Sequence, residues 1–171
     1  VNLTGECTFS AGCDESNLDT QFNAGEVHIS GVEVMASHTF DLPGEWAVPL
    51  RASYTFTQTA FQTSFASDNP QFGEVEVGDE LPYVPTHQAS IQAGVDGGQW
   101  GLNLSATYVD AMREAAGQGE EELMTDAHVL VDAVANWELF DGFEVYARGD
   151  NLTSAQPIVS RRPFGARPAR P

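Results

Sequence analysis

Between residues 100 and 109 the side chains alternate in character, Trp100, Leu102, Leu104, Ala106 and Tyr108 falling on one face and Gly101, Asn103, Ser105, Thr107 and Val109 on the other. A strand turns successive side chains to opposite faces, whereas a helix repeats every ~3.6 residues, so this pattern fits a sheet with one greasy and one polar surface.

The pattern recurs in segments of roughly 8 to 14 residues. Residues 127 to 139 set Ala127, Val129, Val131, Ala133, Ala135, Trp137 and Leu139 against His128, Leu130, Asp132, Val134, Asn136 and Glu138, with Leu130 and Val134 as apolar exceptions. Residues 88 to 95 place Ala89, Ile91, Ala93 and Val95 opposite Gln88, Ser90, Gln92 and Gly94. Residues 50 to 57 and 143 to 150 behave alike, with Leu50, Ala52, Tyr54 and Phe56, and then Phe143, Val145 and Ala147, on their apolar faces. A sixth strand is expected over 26 to 40, where Val27 and Ile29 share a face and the apolar set then moves to Val32, Val34, Ala36 and Phe40. The slip falls at Gly31, which predicts a β-bulge there. A second slip follows Gln58, where Phe61 and Phe65 continue in the opposite phase. Helical periodicity is nowhere sustained, and no apolar run approaches the ~18 residues that a membrane helix needs.

Turn chemistry predicts antiparallel hairpins. A two-residue Gly97-Gly98 turn would pair Val95 with Trp100, Ala93 with Leu102 and Ile91 with Leu104, so that polarity matches on both faces. A three-residue loop Phe140-Asp141-Gly142 would set Trp137 against Val145, Leu139 against Phe143, Glu138 against Glu144 and Asp132 against Asp150, with Arg148 near both aspartates. These short links, with 41 to 47, alternate with long polar stretches at 64 to 84, 111 to 124 and 154 to 171. Short turns on one side and long loops on the other are the mark of an outer-membrane barrel.

A soluble sandwich also alternates, but both of its sheets must cover each other's apolar faces through Greek-key connections. Here every consecutive pair is a simple up-and-down hairpin, which leaves lipid to cover the greasy face. Trp100 and Trp137, with Phe140 and Phe143, gather by the short turns, as interfacial belts do. The expected fold is therefore all-β, an antiparallel up-and-down transmembrane barrel segment of six strands. Six strands cannot close around a polar lumen, since the smallest barrels use about eight. The segment must belong to a larger barrel.

Charge excludes nucleic acid as a partner: the formal net charge is −18, with 25 acidic residues against seven arginines and no lysine. The acid gathers in turn-rich stretches such as "CDESNLD", "GEVEVGDE" and "GQGEEEL", which read as solvated loops. Cys7 and Cys13 lie six positions apart in a polar segment and favour a small disulfide loop, in an oxidising compartment, over free thiols. With no histidine near them in sequence, zinc is not expected.

Several motifs resemble those of TonB-dependent outer-membrane receptors. "GDELPYVPTHQASIQAGVDGGQWGLNLSATYVDAMRE" resembles the family's late barrel strands, in which Leu-Pro-Tyr-x-Pro-x-His leads into a strand. "FEVYARGDNLTSAQPIVSRRPFGARPARP" is similar to its penultimate strand, with Tyr-Ala-Arg-x-Asp-Asn-Leu at Tyr146 to Leu152, followed by the last extracellular loop. "GEVHISGVEVMASHTF" resembles another recurrent strand, with Gly31, Val32 and Glu33 at its Gly-x-Glu, and the cysteine loop before it is similar too. "SRRPFGARP" and "LPYVPTHQ" look most like the ferric citrate branch. The resemblance implies a 22-strand barrel in the outer membrane, plugged by an N-terminal domain and energised through TonB. It also implies a ferric chelate of siderophore or citrate type as cargo, with outer-membrane lipid and lipopolysaccharide as surroundings.

On this reading residues 1–24 form an extracellular loop with the cysteine pair, 25–153 the six-strand segment, and 154–171 the last extracellular loop. The chain begins at Val1 and ends in a Pro-rich stretch, so the plug, the TonB box and a final strand are expected outside it. No catalytic constellation is present, and neither an enzyme nor a cofactor or resident metal is expected; His28, His38, His87 and His128 are too dispersed to serve as ligands. Arg161 and Arg162 are candidates for attracting an anionic ferric complex. The competing readings are a passive porin and a soluble carbohydrate-binding or adhesin β domain.

Overall fold

The computed structural model describes residues 25–67, 72–117, 124–161 and 165–169. Long strands dominate: β1 (Val27–Leu42), β2 (Trp46–Phe61), β5 (His87–Asp96), β6 (Trp100–Val109), β7 (His128–Phe140) and β8 (Phe143–Gly149). Four short strands lie in the loops, β3 (Phe65–Ala66) with β4 (Glu74–Val75) and β9 (Ile158–Ser160) with β10 (Arg167–Pro168). The long strands form one sheet in the order β1-β2-β5-β6-β7-β8, every neighbour antiparallel. This is the up-and-down order that the hairpins predict, and among the described residues the sheet stays open, with β1 and β8 at its edges.

Register joins the apolar faces of all six strands into one surface. One row runs Leu50, Ala93, Leu104, Ala133, and the next runs Ala52, Ile91, Ala106, Val131. No described element covers this face: Ile91 is 50%, Leu104 45% and Trp137 56% exposed. All three tryptophans share the row at the short-turn end, Trp46 across from Gly97, Trp100 beyond it, and Trp137 paired with Trp100. Eight positions further along their strands stand Tyr54 and Tyr108, both level with Ala89. Eight residues at ~3.4 Å each, tilted by about 40°, span roughly 21 Å along a membrane normal, close to the ~25 Å apolar band of an outer-membrane barrel. Between the two aromatic rows the face carries alanine, valine, leucine, isoleucine, Phe40 and Gly149, with His38 as the polar exception; its ring meets Phe40 edge-on at 4.4 Å.

The slip at Gly31 is not a bulge. The β1–β2 register runs unbroken from Val27↔Phe61 to Leu42↔Trp46, with Gly31 opposite Thr57 and Ser30 opposite Gln58. The two slips seen in the sequence thus sit at one level of the sheet, where both strands exchange their apolar face. Residues 32–42 and 46–56 supply eleven residues each below that level, enough for the ~9–11 that a membrane strand requires. Above it, Phe61 turns to the opposite face and is fully buried, with Val75 2% exposed. Phe65 and Phe72 close on Phe61 with ring centroids 5.5 and 6.3 Å away. Phe65 belongs to β3 rather than to a continuation of β2. The surplus strand length carries a small aromatic core beneath the β3–β4 hairpin.

Two hairpins differ in detail from the sequence expectation. The β5–β6 turn is centred on Gly98-Gln99, closed by Gly97 N–H donating to the Trp100 carbonyl at 2.8 Å, and the ladder pairs Val95 with Leu102 and Ala93 with Leu104. The expected register was displaced by two residues, a shift that leaves every face unchanged and is invisible to polarity. Packing decides it: a Cβ on Gly97 would lie 3.1 Å from the Trp100 ring and 3.4 Å from Trp46, whose rings meet edge-to-face at 4.9 Å. Gly98 takes the left-handed conformation, with φ of 79°. In β7–β8, Trp137↔Val145 and Glu138↔Glu144 form as expected, but the register then shifts to pair Phe140 with Phe143. Leu139 is the extra residue, so the three-residue loop becomes a bulge and a tighter turn, with the two phenylalanine rings stacked at 5.0 Å. Asp132 does not face Asp150 in the ladder, whose last pair is Ala133↔Gly149.

Close backbone contact explains Gly31, since a Cβ there would drive into the Phe56 carbonyl oxygen across the ladder. Gly31→Ala should therefore destabilise the full-length protein by about 1–3 kcal/mol, the usual cost of forcing atoms into a packed site. Ser30→Ala, on an exposed neighbour, should cost under about 0.5 kcal/mol. Denaturant midpoints in detergent compare the two, and equal midpoints would contradict the assignment.

Candidate functional site

The face opposite the apolar surface is predominantly polar. Its rows carry Ser37, Arg51, Gln92, Ser105 and Asp132, then Met35, Ser53, Ser90, Thr107 and Leu130. Ser53 Oγ and Ser90 Oγ are 2.8 Å apart, and Asn136 Nδ2 donates to Glu144 Oε1 at 2.8 Å. Arg148 Nε donates to Asp150 Oδ1 at 2.7 Å. The wall is thus a field of hydroxyls, amides and a few charges, suited to a hydrated lumen. Among the described residues no group of histidine, cysteine or carboxylate side chains is placed to hold a metal ion.

The long connections all leave the sheet at the end away from the tryptophans, and there they assemble into one layer. Residues 62–86 enter β5 through the Leu-Pro-Tyr-x-Pro-x-His motif. Leu81 N–H donates to Thr59 Oγ1 at 3.0 Å, Thr57 N–H to the Thr86 carbonyl at 3.0 Å, and His87 Nδ1 lies 2.8 Å from Tyr54 Oη. Tyr83 adopts a φ of 58° while its N–H reaches the Arg113 carbonyl at 2.8 Å. The motif is a shaped splice that pins the first long loop to the second.

Residues 110–127 are closed at their base by Thr125, which is 3% exposed: its N–H donates to the Met112 carbonyl at 2.8 Å and its Oγ1 accepts from Met112 N–H at 2.9 Å. Above that base, Arg113 Nε meets Glu80 Oε2 at 2.7 Å, and Arg161 Nε lies 2.8 Å from Glu114 Oε1. The second pair is a close charge contact rather than an aligned hydrogen bond. Glu114 is almost wholly enclosed, whereas about a third of the Arg161 side chain is open to solvent (35%). The sequence-nominated Arg161 therefore stands in the loop layer with a carboxylate already beside it. Arg162, Cys7 and Cys13 lie outside the described residues.

The last connection starts from Asn151, 7% exposed with φ of 49°. Its backbone N–H donates to Asp132 Oδ1 at 2.8 Å, its Nδ2 to the Ala155 carbonyl at 2.8 Å, and its Oδ1 accepts from Ala155 N–H at 3.0 Å. This is the structural content of the Tyr-Ala-Arg-x-Asp-Asn-Leu motif: asparagine tolerates the left-handed conformation and its amide folds the chain back on itself. Reading the sequence by alternation alone misses Asn151, Glu80, Arg113 and Glu114. The available signal was a lone arginine, Arg113, in a loop otherwise crowded with acid.

Matching against known family models assigns residues 2–152 to the family described as TonB dependent receptor-like, beta-barrel. The match spans most of the chain, and the chain belongs to that family: it is a barrel segment of a TonB-dependent outer-membrane transporter, with TonB as the partner that the family implies. No curated protein and no solved structure gives a significant match.

Asn151→Ala removes the two side-chain hydrogen bonds to the Ala155 backbone and the one that Thr153 Oγ1 donates to Asn151 Oδ1, and adds left-handed strain. It should lower stability by about 2–3 kcal/mol, while Asn151→Gly, which keeps the conformation, should lose about 1 kcal/mol less. Urea refolding midpoints of the full-length protein should follow that order, and a reversed order would contradict the role given to the amide.

Proposed function

We propose that this segment serves a receptor importing a ferric chelate of citrate or siderophore type, the strands supplying the wall and the long loops supplying capture. The observation that carries the reading is the placement of cation. In a chain of net charge −18, four of the seven basic residues, Arg161, Arg162, Arg167 and Arg170, fall in the last eleven positions, within the proposed last extracellular loop. Arginine recognises carboxylate oxygens in a paired, planar geometry, and ferric citrate and carboxylate-bearing siderophores present such oxygens. The likeness of "LPYVPTHQ" and "SRRPFGARP" to the ferric citrate branch supports the same cargo.

The proposed layout gives residues 1–24 to an extracellular loop closed by a Cys7–Cys13 disulfide, 25–153 to the barrel wall and 154–171 to the capturing loop. Lipopolysaccharide and lipid surround the wall. A plug domain carries the TonB contact.

Uptake of radiolabelled iron tests the cargo. The full-length protein, expressed in Gram-negative cells lacking their own ferric citrate and siderophore receptors, should restore proton-gradient-dependent uptake. The double variant Arg161→Ala, Arg162→Ala should reduce uptake at limiting chelate by about tenfold or more, from lost charge-assisted contacts of ~1.5–3 kcal/mol. Failure with every ferric chelate, or an unaffected double variant, would overturn the reading.

A further inference from the structure

The residues that join the three outer loops are adjacent in sequence and opposite in charge. Arg113 reaches back to Glu80 in the loop of residues 62–86, at 2.7 Å, and its carbonyl accepts from Tyr83 N–H at 2.8 Å. Glu114, the next residue, reaches forward to Arg161 in the last loop at 2.8 Å. A second tie joins the same two loops: Asp126 N–H donates to the Ile158 carbonyl at 2.9 Å, while Ile158 N–H donates to Asp126 Oδ2 at 2.8 Å. The middle loop is stiffened beneath this point by the Met112–Thr125 bonds and by an isolated bridge between Arg113 and Met124.

We propose that Arg113 and Glu114 form a two-way electrostatic latch that makes the three outer loops open and close as one body. The physical reason is the shared backbone. Arg113 and Glu114 reach partners in different loops, Glu80 and Arg161, while sharing one peptide unit. Glu114 is enclosed, and taking the Arg161 cation away from an enclosed carboxylate is costly. A shift of residue 114 that relieves this cost pulls on the peptide unit shared with Arg113, and so on the Arg113 contacts to Glu80 and Tyr83. Release on either side is felt on the other. The latch is independent of cargo identity and stands or falls apart from the ferric-chelate reading.

Hydrogen exchange of the full-length protein in detergent, followed by mass spectrometry of peptides covering residues 78–86 and 156–161, tests it. Among the described residues, the ion pair of Arg161 is with Glu114 of the middle loop. Arg161→Ala should accelerate exchange in 156–161 and also, by about tenfold, in 78–86. Glu80→Gln changes a half-exposed carboxylate at the other end of the latch (52% exposed). It should accelerate 156–161 by a smaller factor. The exchanged pair Glu114→Arg with Arg161→Glu should bring both peptides back toward the wild-type rate. If each substitution accelerates only the loop it touches, the loops move independently and the latch is refuted. If Arg161→Ala prevents folding, the Glu80→Gln comparison decides by the same criterion.

Discussion

The chain depends on one constraint: a backbone crossing hydrocarbon must satisfy its hydrogen bonds internally, and between strands it can do so only through an unbroken ladder. With the ladder fixed, side-chain alternation sorts itself into a lipid face and a lumen face. The aromatic rows at Trp46, Trp100 and Trp137 and at Tyr54 and Tyr108 mark where the hydrocarbon ends. Even the departures from regularity respect the ladder. Pro49, which has no N–H to donate, lies in β2 opposite Thr39, and on its other side the β2–β5 pairing skips from Ala47↔Asp96 to Leu50↔Ala93.

Much of this architecture was legible in the sequence because period two is a strong signal whenever one face meets lipid. What alternation could not resolve were changes that preserve it. A two-residue shift at Gly97-Gly98 leaves every face matched, and only the room needed by the Trp46 and Trp100 rings selects the true register. Conversely, the slips at Gly31 and after Gln58 resemble local defects when each strand is read alone. Paired across β1 and β2 they become a single boundary, where the apolar positions move to the opposite face and Phe61 is buried beneath Phe65 and Phe72. A bulge and a boundary have the same one-dimensional signature, and pairing is needed to tell them apart.

The outer loops were far less legible. Their composition announces solvation, and solvation hides the few residues that organise them. Arg161 could be singled out as a cation near an anionic cargo, but not as the partner of Glu114, because the two lie 47 positions apart in numbering and meet only through the fold. Asn151 sat inside a recognisable motif whose meaning is conformational: it turns the chain out of β8 through a left-handed residue held by Asp132. The wall is held by a continuous backbone ladder, and the rim mainly by side-chain ties. The same chain thus carries two kinds of construction, one regular and one built from a few specific contacts.

The exposed apolar face of the sheet is assigned to lipid and its opposite face to a lumen. Arginine placed on adjacent residues at mid-depth of β6 tests that assignment most directly, through the folding free energy of the full-length protein into lipid vesicles. Leu104→Arg should cost about 2–4 kcal/mol, the midplane cost of a lipid-facing cation, whereas Ser105→Arg, one residue along and beside Asp132 in the next strand, should cost under about 1 kcal/mol. Equal costs, or a larger cost at Ser105, would contradict the assignment of faces on which the account rests.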